Sequence, residues 1–196
     1  MAFTFKFYSD SGLTAELTNL ISRQLADGSS AANDYIVYLG STQANRKARA
    51  SSDPGVDQIT VSIASNYSAW QASTAYVAGD IVESVGGDGY RYKCTVGGTS
   101  GGSEPTWPAE DGTVVDGTVT WENTGELHPA TEVKLAATAG GLAGAVGGDP
   151  LDLGTQILSG VGNATEVHMR IDQDTHDVET YTDLQISVNE LDEEAV

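Results

Sequence analysis

Apolar and polar residues alternate over several short stretches of the chain, and this pattern predicts β-strands. Apolar side chains occupy every second position in four of these stretches, at residues 2–8, 58–63, 167–171 and 184–188. Side chains alternate between the two faces of a strand, so each stretch has one apolar face that a core can bury. Residues 34–39 are almost continuously apolar and predict a further strand that ends at Gly40.

The apolar residues between positions 12 and 26 fit two different periods. Leu13, Leu17 and Ile21 lie on one stripe of a helix, to which Leu20 also belongs. The same three residues share one parity with Ala15 and Leu25, which would place all five on one face of a strand. Because β-signals dominate the rest of the chain, we favour a strand here and keep a helix as the alternative.

Turn signals separate the predicted strands on both sides of the middle of the chain. Asp53-Pro54-Gly55 is one of these turns, since proline presets the backbone angle that a turn requires. Roughly three strands are expected before residue 67 and roughly four after residue 127, which is the pattern of an immunoglobulin-like sandwich. The predicted fold class is therefore all-β, with an immunoglobulin-like β-sandwich formed by the two flanks.

Residues 67–127 have a different composition from the flanks. They contain all three tryptophans, Trp70, Trp107 and Trp121, and the only cysteine, Cys94. Short apolar runs between Gly, Pro, Asp and Ser clusters predict small antiparallel strands joined by tight turns. Each indole ring removes a large area from water when it is buried, so three of them can fill a small core. We expect a small aromatic-rich antiparallel β-module with Trp107 and Trp121 in its core.

The module also carries motifs that resemble a known family. The pattern W-x-A-x-x-A-Y-x-x-G-D-I-V begins at Trp70, and a Y-x-C strand ends at Cys94. This combination is similar to the small carbohydrate-binding modules appended to chitinases. The continuation G-T-S-G-G-S-E-P-T-W-P, followed by V-x-D-G-T-V-T-W, looks like a version of that module found in virion structural proteins of tailed bacteriophages. The resemblance implies a surface-displayed module with glycan binding as a possible role.

The flanks, residues 1–66 and 128–196, are predicted to form one discontinuous domain. Together they contain about 135 residues, enough to bury roughly two thirds of their unfolded surface, whereas each alone would be marginal. The stretches Y-I-V-Y-L-G-S, S-D-P-G and L-D-L-G-T-Q-I look like those of phage virion proteins in which a β-sandwich carries an inserted module. Residues 66 and 128 should then lie close together at one edge of the sandwich.

The charge balance excludes some classes of partner. The chain has 28 acidic and nine basic residues, for a formal net charge of −19. Such a surface repels phosphate, so nucleic acid and anionic membrane are poor partners. Arg46, Lys47 and Arg49 form the only basic cluster, which we expect in a loop. Its functional interpretation is an ionic contact with an acidic neighbour such as another copy of the chain, and its structural alternative is a solvated loop.

The sequence carries no recognisable catalytic or cofactor motif. One cysteine permits no disulfide framework and no zinc spacing. The Gly/Ala-rich residues 136–150 lack the Gly-Lys-Ser/Thr of a phosphate loop and suit a mobile loop or close backbone packing. The best metal candidates suggest an acidic hairpin tip rather than a calcium loop, since the ligand spacing is incomplete; they are Asp172, Asp174, His176 and Asp177, with His168 nearby. We therefore expect a protein without enzymatic activity, cofactor or metal.

If the module binds a glycan, an exposed aromatic ring should stack on a sugar face beside amide or carboxylate groups. Tyr76 is the first candidate, because it lies just before a predicted turn at which a ring can remain outside. Tyr90 and Tyr92 are the second, because their shared parity puts both on one face of a strand. Trp70 opens the module and is expected to anchor its core instead.

These observations predict a structural protein of a phage virion, as a capsid decoration, neck or tail component. The sandwich would dock on the particle, contacting other virion proteins and copies of itself, and the module would project outward. The N-terminus lacks the apolar core of a signal peptide, so we expect synthesis in the host cytoplasm and residence in the virion. The alternative is a carbohydrate-binding protein that attaches to host or environmental glycans.

Overall fold

The computed structural model describes residues 3–18, 20–23, 33–171 and 180–196 of the chain. These residues form strands, turns and three short 3-10 helices, at Ala130–Glu132, Ala139–Ala143 and Val161–Asn163. The strands in chain order are β1 Lys6–Tyr8, β2 Ser22–Arg23, β3 Asn33–Gly40, β4 Arg46–Ala50, β5 Thr60–Ser65, β6 Ser68–Ala69, β7 Ala75–Tyr76, β8 Ile81–Glu83, β9 Tyr90–Val96, β10 Gly98–Thr99, β11 Thr113–Asp116, β12 Val119–Glu126, β13 Val133–Ala136, β14 Leu151–Asp152, β15 Ile157–Leu158, β16 Thr165–Ile171, β17 Thr180–Tyr181, β18 Leu184–Val188 and β19 Leu191–Ala195.

One layer of the flanking domain is a four-stranded antiparallel sheet. Its strand order is β1-β3-β16-β13, so strands from both flanks are neighbours in it. The long central pair, β3 and β16, aligns Leu39 with Thr165 and Val37 with Val167. Val37, Leu39 and Val167 are buried, as the alternation of apolar residues requires.

The second layer consists of two three-stranded sheets, β14-β5-β18 and β15-β4-β19. On one side, β14 and β15 follow each other along the chain and pair in turn with β5 and β4. On the other side, β18 and β19 pair with the same two strands. The two sheets are therefore successive halves of one antiparallel layer, interrupted where residues 51–59 leave the central strand.

The two layers share a hydrophobic core that draws residues from both flanks. The buried members of this core are Phe5, Leu20, Val37, Leu39, Ala48, Ile59, Val61, Ile63, Val133, Leu135, Ile157, Val167, Met169, Ile171 and Leu184. Neither flank could bury this set alone, because each layer contains strands from before and after the module. The prediction of an all-β fold is confirmed, and the two packed layers are consistent with a β-sandwich.

The central segment has a separate hydrophobic core of its own. Its five-stranded sheet has the order β11-β12-β9-β8-β6, and β7 pairs with β10 in a short ribbon beside it. Trp70, Val82, Tyr92, Cys94, Val119 and Trp121 are the buried residues of this core. Trp121 is fully buried, whereas Trp107 is half-buried and packs on the cluster from its border.

The chain leaves and re-enters the sandwich at one place. Asn66 donates its backbone N–H to the carbonyl oxygen of Asp183 at 2.6 Å, and His128 donates its own to Oδ2 of the same residue at 2.6 Å. The His128 ring meets Tyr181 edge-on, 4.1 Å between ring centroids, and the Arg91 guanidinium lies 5.6 Å from the centre of the Tyr181 ring. Residues 66 and 128 therefore lie close together, as expected.

Residues 12–18 and 20–23, the described part of the ambiguous early segment, contain no helix. Leu13 has a left-handed backbone angle, φ 53°, and the Asp10 carboxylate accepts the backbone N–H of Thr14 at 3.1 Å. These local hydrogen bonds turn the chain at this point. The periodicity of apolar side chains does not predict such a turn. Further along, β2 pairs with β17, so part of the segment is a strand.

The Gly/Ala-rich segment packs closely against its surroundings. Thr138 caps the 3-10 helix at Ala139–Ala143 by accepting the Gly141 N–H, and Leu142 is buried. A Cβ at Gly147 would overlap the carbonyl oxygen of Thr131. The sequence allowed either a mobile loop or close backbone packing for this segment. At Gly147 the structure shows close backbone packing.

Candidate binding cleft of the inserted module

Asp116 is the residue around which the module core is organised. Its Oδ2 accepts hydrogen bonds from Nε1 of Trp70 at 2.8 Å and of Trp121 at 3.2 Å. Its Oδ1 accepts the backbone N–H of Gly101 at 2.7 Å. Asp116 ends β11 and Gly117 follows with φ 62°, so the turn before β12 aims the carboxylate inward. One buried carboxylate thus satisfies both indole N–H groups and fixes the loop that leads to Trp107.

Trp107 lies at the border of this core rather than inside it. Its ring stacks on Tyr92, with 4.0 Å between centroids and 18° between planes. It also meets the Trp121 ring edge-on, with centroids 6.0 Å apart. Its Nε1 donates to Oε1 of Glu104 at 2.8 Å. The indole is therefore held on several sides while part of its ring remains accessible.

A shallow cleft of about 350 Å³ opens beside Trp107. The lining residues come from the turn after β8 and from the loop between β10 and β11. They are Ser84, Gly86, Gly87, Asp88, Glu104, Pro105 and Trp107. Exposed glycines on one side leave room next to the ring, and proline stiffens the other side. The cleft therefore combines an aromatic surface with two carboxylates.

Both carboxylates of the cleft are held in place by hydrogen bonds from the module. Glu104 Oε1 accepts from Trp107 and also from the backbone N–H of Val85, at 2.7 Å. Asp88 Oδ2 accepts the Tyr92 hydroxyl at 2.6 Å, and its Oδ1 accepts the backbone N–H of Tyr90 at 3.1 Å. Burial, together with the bond to Asp88, holds the pKa of Tyr92 well above its ordinary value, so the hydroxyl remains a donor.

The structure rules out Tyr92 as a sugar platform and places Tyr76 and Tyr90 outside the lining of the cleft. Tyr92 is only 1% exposed and its ring is stacked against Trp107, so it offers no face to a ligand. Tyr76 is half-buried, with its ring edge-on to Trp121 at 4.8 Å and its hydroxyl accepting the Gln71 N–H at 2.8 Å. Tyr90 is also half-buried against the core. None of the three lines the cleft, although Tyr92 and the backbone of Tyr90 support its Asp88 wall.

The sequence predicts Trp107 in the core of the module, whereas the structure places it at the border of that core, lining the cleft. Its flanking sequence, Glu104-Pro-Thr-Trp-Pro108, contains two prolines that cannot extend a sheet ladder. That local signal indicates a loop position, where a tryptophan ring is less completely covered. The large apolar surface of an indole ring predicts burial, which is why the loop signal alone does not identify the site.

The basic cluster occupies a strand rather than the predicted loop. Arg46 Nε lies 2.7 Å from Oε1 of Glu193, and Lys47 Nζ lies 3.2 Å from Oε1 of Glu194. Arg49 reaches the same Glu194 oxygen at 2.8 Å. Strand β4, which carries the bases, pairs along its length with the acidic strand β19. The acidic neighbour of the cluster is therefore the C-terminal strand of its own chain.

Metal-ligating clusters and the single cysteine are the remaining candidate chemical groups. In the ranges that the structure covers, no three His, Cys, Asp or Glu side chains are grouped so as to hold a metal ion. Of the metal candidates, Asp172, Asp174, His176 and Asp177 lie outside the described residues, and His168 is largely buried on β16. Burial raises the pKa of the Cys94 thiol, which makes a reactive thiolate less accessible. Within the same ranges, no helix has the length and apolarity to cross a membrane.

Comparison with models of known families, with curated proteins and with solved structures finds no match for this chain.

Proposed function

We propose that this chain is a non-enzymatic structural component of a tailed-phage virion, as a capsid decoration, neck or tail protein. The sandwich docks on the particle and the module projects from it. The observation that carries the proposal is the junction at Asp183, where both ends of the module meet. An insertion joined through one point can extend outward without breaking the domain that carries it.

The separation of the two hydrophobic cores supports this division of labour. The sandwich core contains residues from both flanks, and the module core contains residues from positions 70 to 121. Each unit can therefore keep its packing while its outer surface serves a different purpose. The motifs of the module resemble those of phage virion proteins, and this resemblance supports a location on a phage particle.

In this proposal the sandwich contacts the particle, and it does so through surfaces other than the basic cluster. The bases of β4 are already paired with β19, so they are poor first candidates for binding another protein. Large apolar side chains that the sandwich leaves exposed are better candidates for contact with virion proteins or further copies. They include Val56, Val146, Leu158 and Val161.

Incorporation into particles tests this proposal. Phage particles that lack the chain would be mixed with purified full-length protein, or with a variant in which a short Gly/Ser linker replaces residues 67–127, and then sedimented. Both proteins should co-sediment, because docking belongs to the sandwich. Co-sedimentation of the full-length protein but not of the folded variant would transfer docking to the module, and failure of both would contradict the virion assignment.

The cleft beside Trp107 favours a second candidate function, attachment to carbohydrate. Aromatic rings stack on the apolar faces of sugars, and the fixed carboxylates of Asp88 and Glu104 can accept hydrogen bonds from hydroxyl groups. A single open site of this kind would bind with about millimolar affinity, near −4 kcal/mol. Many copies on one particle would raise the effective strength of attachment.

Carbohydrate titrations followed by nuclear magnetic resonance test the second function. The indole N–H signal of Trp107 should move as oligosaccharide is added to the isotope-labelled protein, while that of the fully buried Trp121 changes less. The Trp107 signal could instead stay unchanged with neutral, amine-bearing and acidic oligosaccharides at tens of millimolar. That result would contradict carbohydrate binding and leave the virion proposal unaffected.

A further inference from the structure

We propose that the cleft beside Trp107 selects sugars that carry a protonated amine over neutral and anionic sugars. This inference rests on the carbohydrate-binding candidate of the proposed function and names the class of glycan. It is based on the chemistry of the polar groups that face the cleft, on the charge of the module and on the position of the aromatic ring.

The polar side chains that line the cleft are mainly acceptors. Among its lining residues, all of which the structure describes, there is no lysine, arginine or histidine. The Trp107 N–H is already donated to Glu104, and the Ser84 hydroxyl accepts the backbone N–H of Asp88 at 2.9 Å. An ionised carboxylate can only accept hydrogen bonds, whereas an ammonium group supplies three donors and no acceptor. The cleft therefore complements an ammonium better than an acetamide or a carboxylate.

Glu104 is arranged to hold such a donor. Both of its hydrogen bonds, from Trp107 and Val85, go to Oε1. No donor from the described part of the chain reaches Oε2. The residue is exposed, so the carboxylate is anchored by one oxygen while the other remains available to a ligand. An anchored carboxylate loses less side-chain entropy on binding than one that is disordered beforehand.

Asp88 adds a second acceptor to the lining of the cleft. Each of its oxygens already accepts one hydrogen bond, from Tyr92 and from Tyr90, and each can accept another. With Glu104 it places two negative charges around one small opening. A hydrogen bond to an ionised group is roughly twice as strong as one between neutral groups. An amine that enters this opening gains such contacts, whereas an anionic sugar is repelled.

The two basic residues of the module do not offset this charge. Residues 67–127 contain nine acidic residues and only Arg91 and Lys93 as bases. Both lie on β9 at the parity opposite to the buried Tyr92, so they project from the other face of the sheet. Lys93 is aligned with Glu122 there. The cleft consequently remains negative, which favours cationic ligands.

The half-buried ring of Trp107 provides the other part of the recognition. A cation within about 6 Å of an indole face is attracted by the ring quadrupole, and tryptophan is the best side chain for this contact. The same surface can pack against the C–H groups of a sugar ring. Because Tyr92 stacks on one face of the indole, the Trp107 ring is held in one orientation. Amine and sugar ring are thus recognised together.

The test uses the full-length protein and four oligosaccharides of equal length. These are built from glucosamine, N-acetylglucosamine, glucose and galacturonic acid, and spermidine serves as a polyamine that is not a sugar. Titrations at about pH 6 and low salt keep the amine protonated and the carboxylates ionised. The glucosamine oligomer should bind about tenfold more tightly than its acetylated counterpart, and added salt should reduce the difference.

The variant Glu104→Gln isolates the charge from the geometry. Glutamine retains the carbonyl oxygen that accepts from Trp107 and Val85, so the cleft keeps its shape while the negative charge is lost. The preference of the Glu104→Gln variant for the glucosamine oligomer over the acetylated oligomer should fall to about twofold or less. Glu122→Gln removes the same charge from the opposite face of the sheet and should preserve the preference.

Each outcome of these titrations supports or overturns the inference. Equal binding of the glucosamine and N-acetylglucosamine oligomers would contradict amine selection and leave carbohydrate binding intact. Spermidine binding as tight as the glucosamine oligomer would show a cation site without sugar recognition. An equal loss of the preference for the glucosamine oligomer in Glu104→Gln and Glu122→Gln would show that general charge attraction, and not the cleft, causes that preference. Failure of every saccharide to bind would overturn carbohydrate binding itself, and the inference with it.

Discussion

His128 donates its backbone N–H to Oδ2 of Asp183 at 2.6 Å, at the point where the chain returns from the module to the sandwich. The outgoing chain bonds to the same residue, through the Asn66 N–H and the Asp183 carbonyl oxygen. A single buried aspartate therefore closes both ends of the insertion. This arrangement makes the two domains separable in principle and gives the junction its own contribution to stability.

Removal of the module should leave a folded sandwich. Replacing residues 67–127 with a short Gly/Ser linker retains both partners of the Asp183 junction and all of the buried sandwich core. The variant should unfold in one cooperative transition by circular dichroism, at a temperature below that of the full chain because the Arg91–Tyr181 contact is lost. A gradual loss of signal without a transition would contradict the discontinuous domain.

Asp183→Ala should destabilise the sandwich. The substitution removes the acceptor of the buried His128 N–H, and a buried donor without a partner costs about 1–3 kcal/mol. Urea unfolding of the full chain measures this difference. Asp192→Ala, at an exposed position of β19, is the control and should change the free energy of unfolding by about 0.5 kcal/mol or less. Similar losses in both variants would show that Asp183 has no special role.

Asp116→Ala should destabilise the module more than a surface acid does. It leaves the Trp70 and Trp121 indole N–H groups without their acceptor, each at a cost of about 1–3 kcal/mol. Glu122→Ala is the matched control on the same sheet. Tryptophan fluorescence during urea unfolding follows the module directly, because all three tryptophans lie within it. An unchanged midpoint for Asp116→Ala would exclude the carboxylate as the organising residue.

Tryptophan truncation separates the core from its border. Trp121→Ala should cost roughly 3–5 kcal/mol, as expected for a fully buried aromatic ring. Trp107→Ala should cost less, since its ring is half-buried and its removal leaves a smaller internal cavity. Equal losses of stability, measured by urea unfolding with circular dichroism detection, would contradict the position of Trp107 at an open cleft.

Glu193 should make the attachment of the C-terminal strand depend on pH. Burial alone would raise its pKa, but hydrogen bonds from Arg46 and Thr4 hold the pKa below its ordinary value. For a carboxyl group with a lowered folded-state pKa, the stabilisation is complete above the unfolded value, near 4.3, and is lost as the pH falls through the folded value.

Glu193→Gln should therefore destabilise the protein at neutral pH and have a much smaller effect at about pH 3. The measurement is urea unfolding of both proteins at the two pH values. Glu194→Gln provides the control, because that side chain is about half exposed and its ion pairs are screened by solvent. If Glu193→Gln lowered the free energy of unfolding by the same amount at both pH values, packing and not ionisation would attach the strand.

Local periodicity predicted much of the fold. The alternating stretches correspond to β5, β16 and β18, because a half-buried strand must bury every second side chain. Periodicity reports nothing about which distant strands pair. Periodicity therefore predicts neither the strand position of Arg46 nor its pairing with Glu193, which lies 147 residues further along the chain.

The candidate cleft was harder to predict for a similar reason. Tyr90 and Tyr92 do share a face of β9, but that face is the one that meets the core. Which aromatic ring remains accessible depends on how the loop containing Glu104 and Trp107 folds back over the sheet. That geometry arises from the bonds of Asp116 to Gly101 and of Glu104 to Val85, which join residues 15 and 19 positions apart, and strand periodicity does not predict such bonds.

Electron cryomicroscopy of the purified phage particle is the most direct test of the central claim, that a docked sandwich carries a projecting module. We expect density for residues 1–66 and 128–196 in contact with neighbouring virion proteins, and density for residues 67–127 on the outer side with the Trp107 cleft facing solvent. Particles without density for the chain, or with the module buried against the particle and the sandwich outside, would contradict the account.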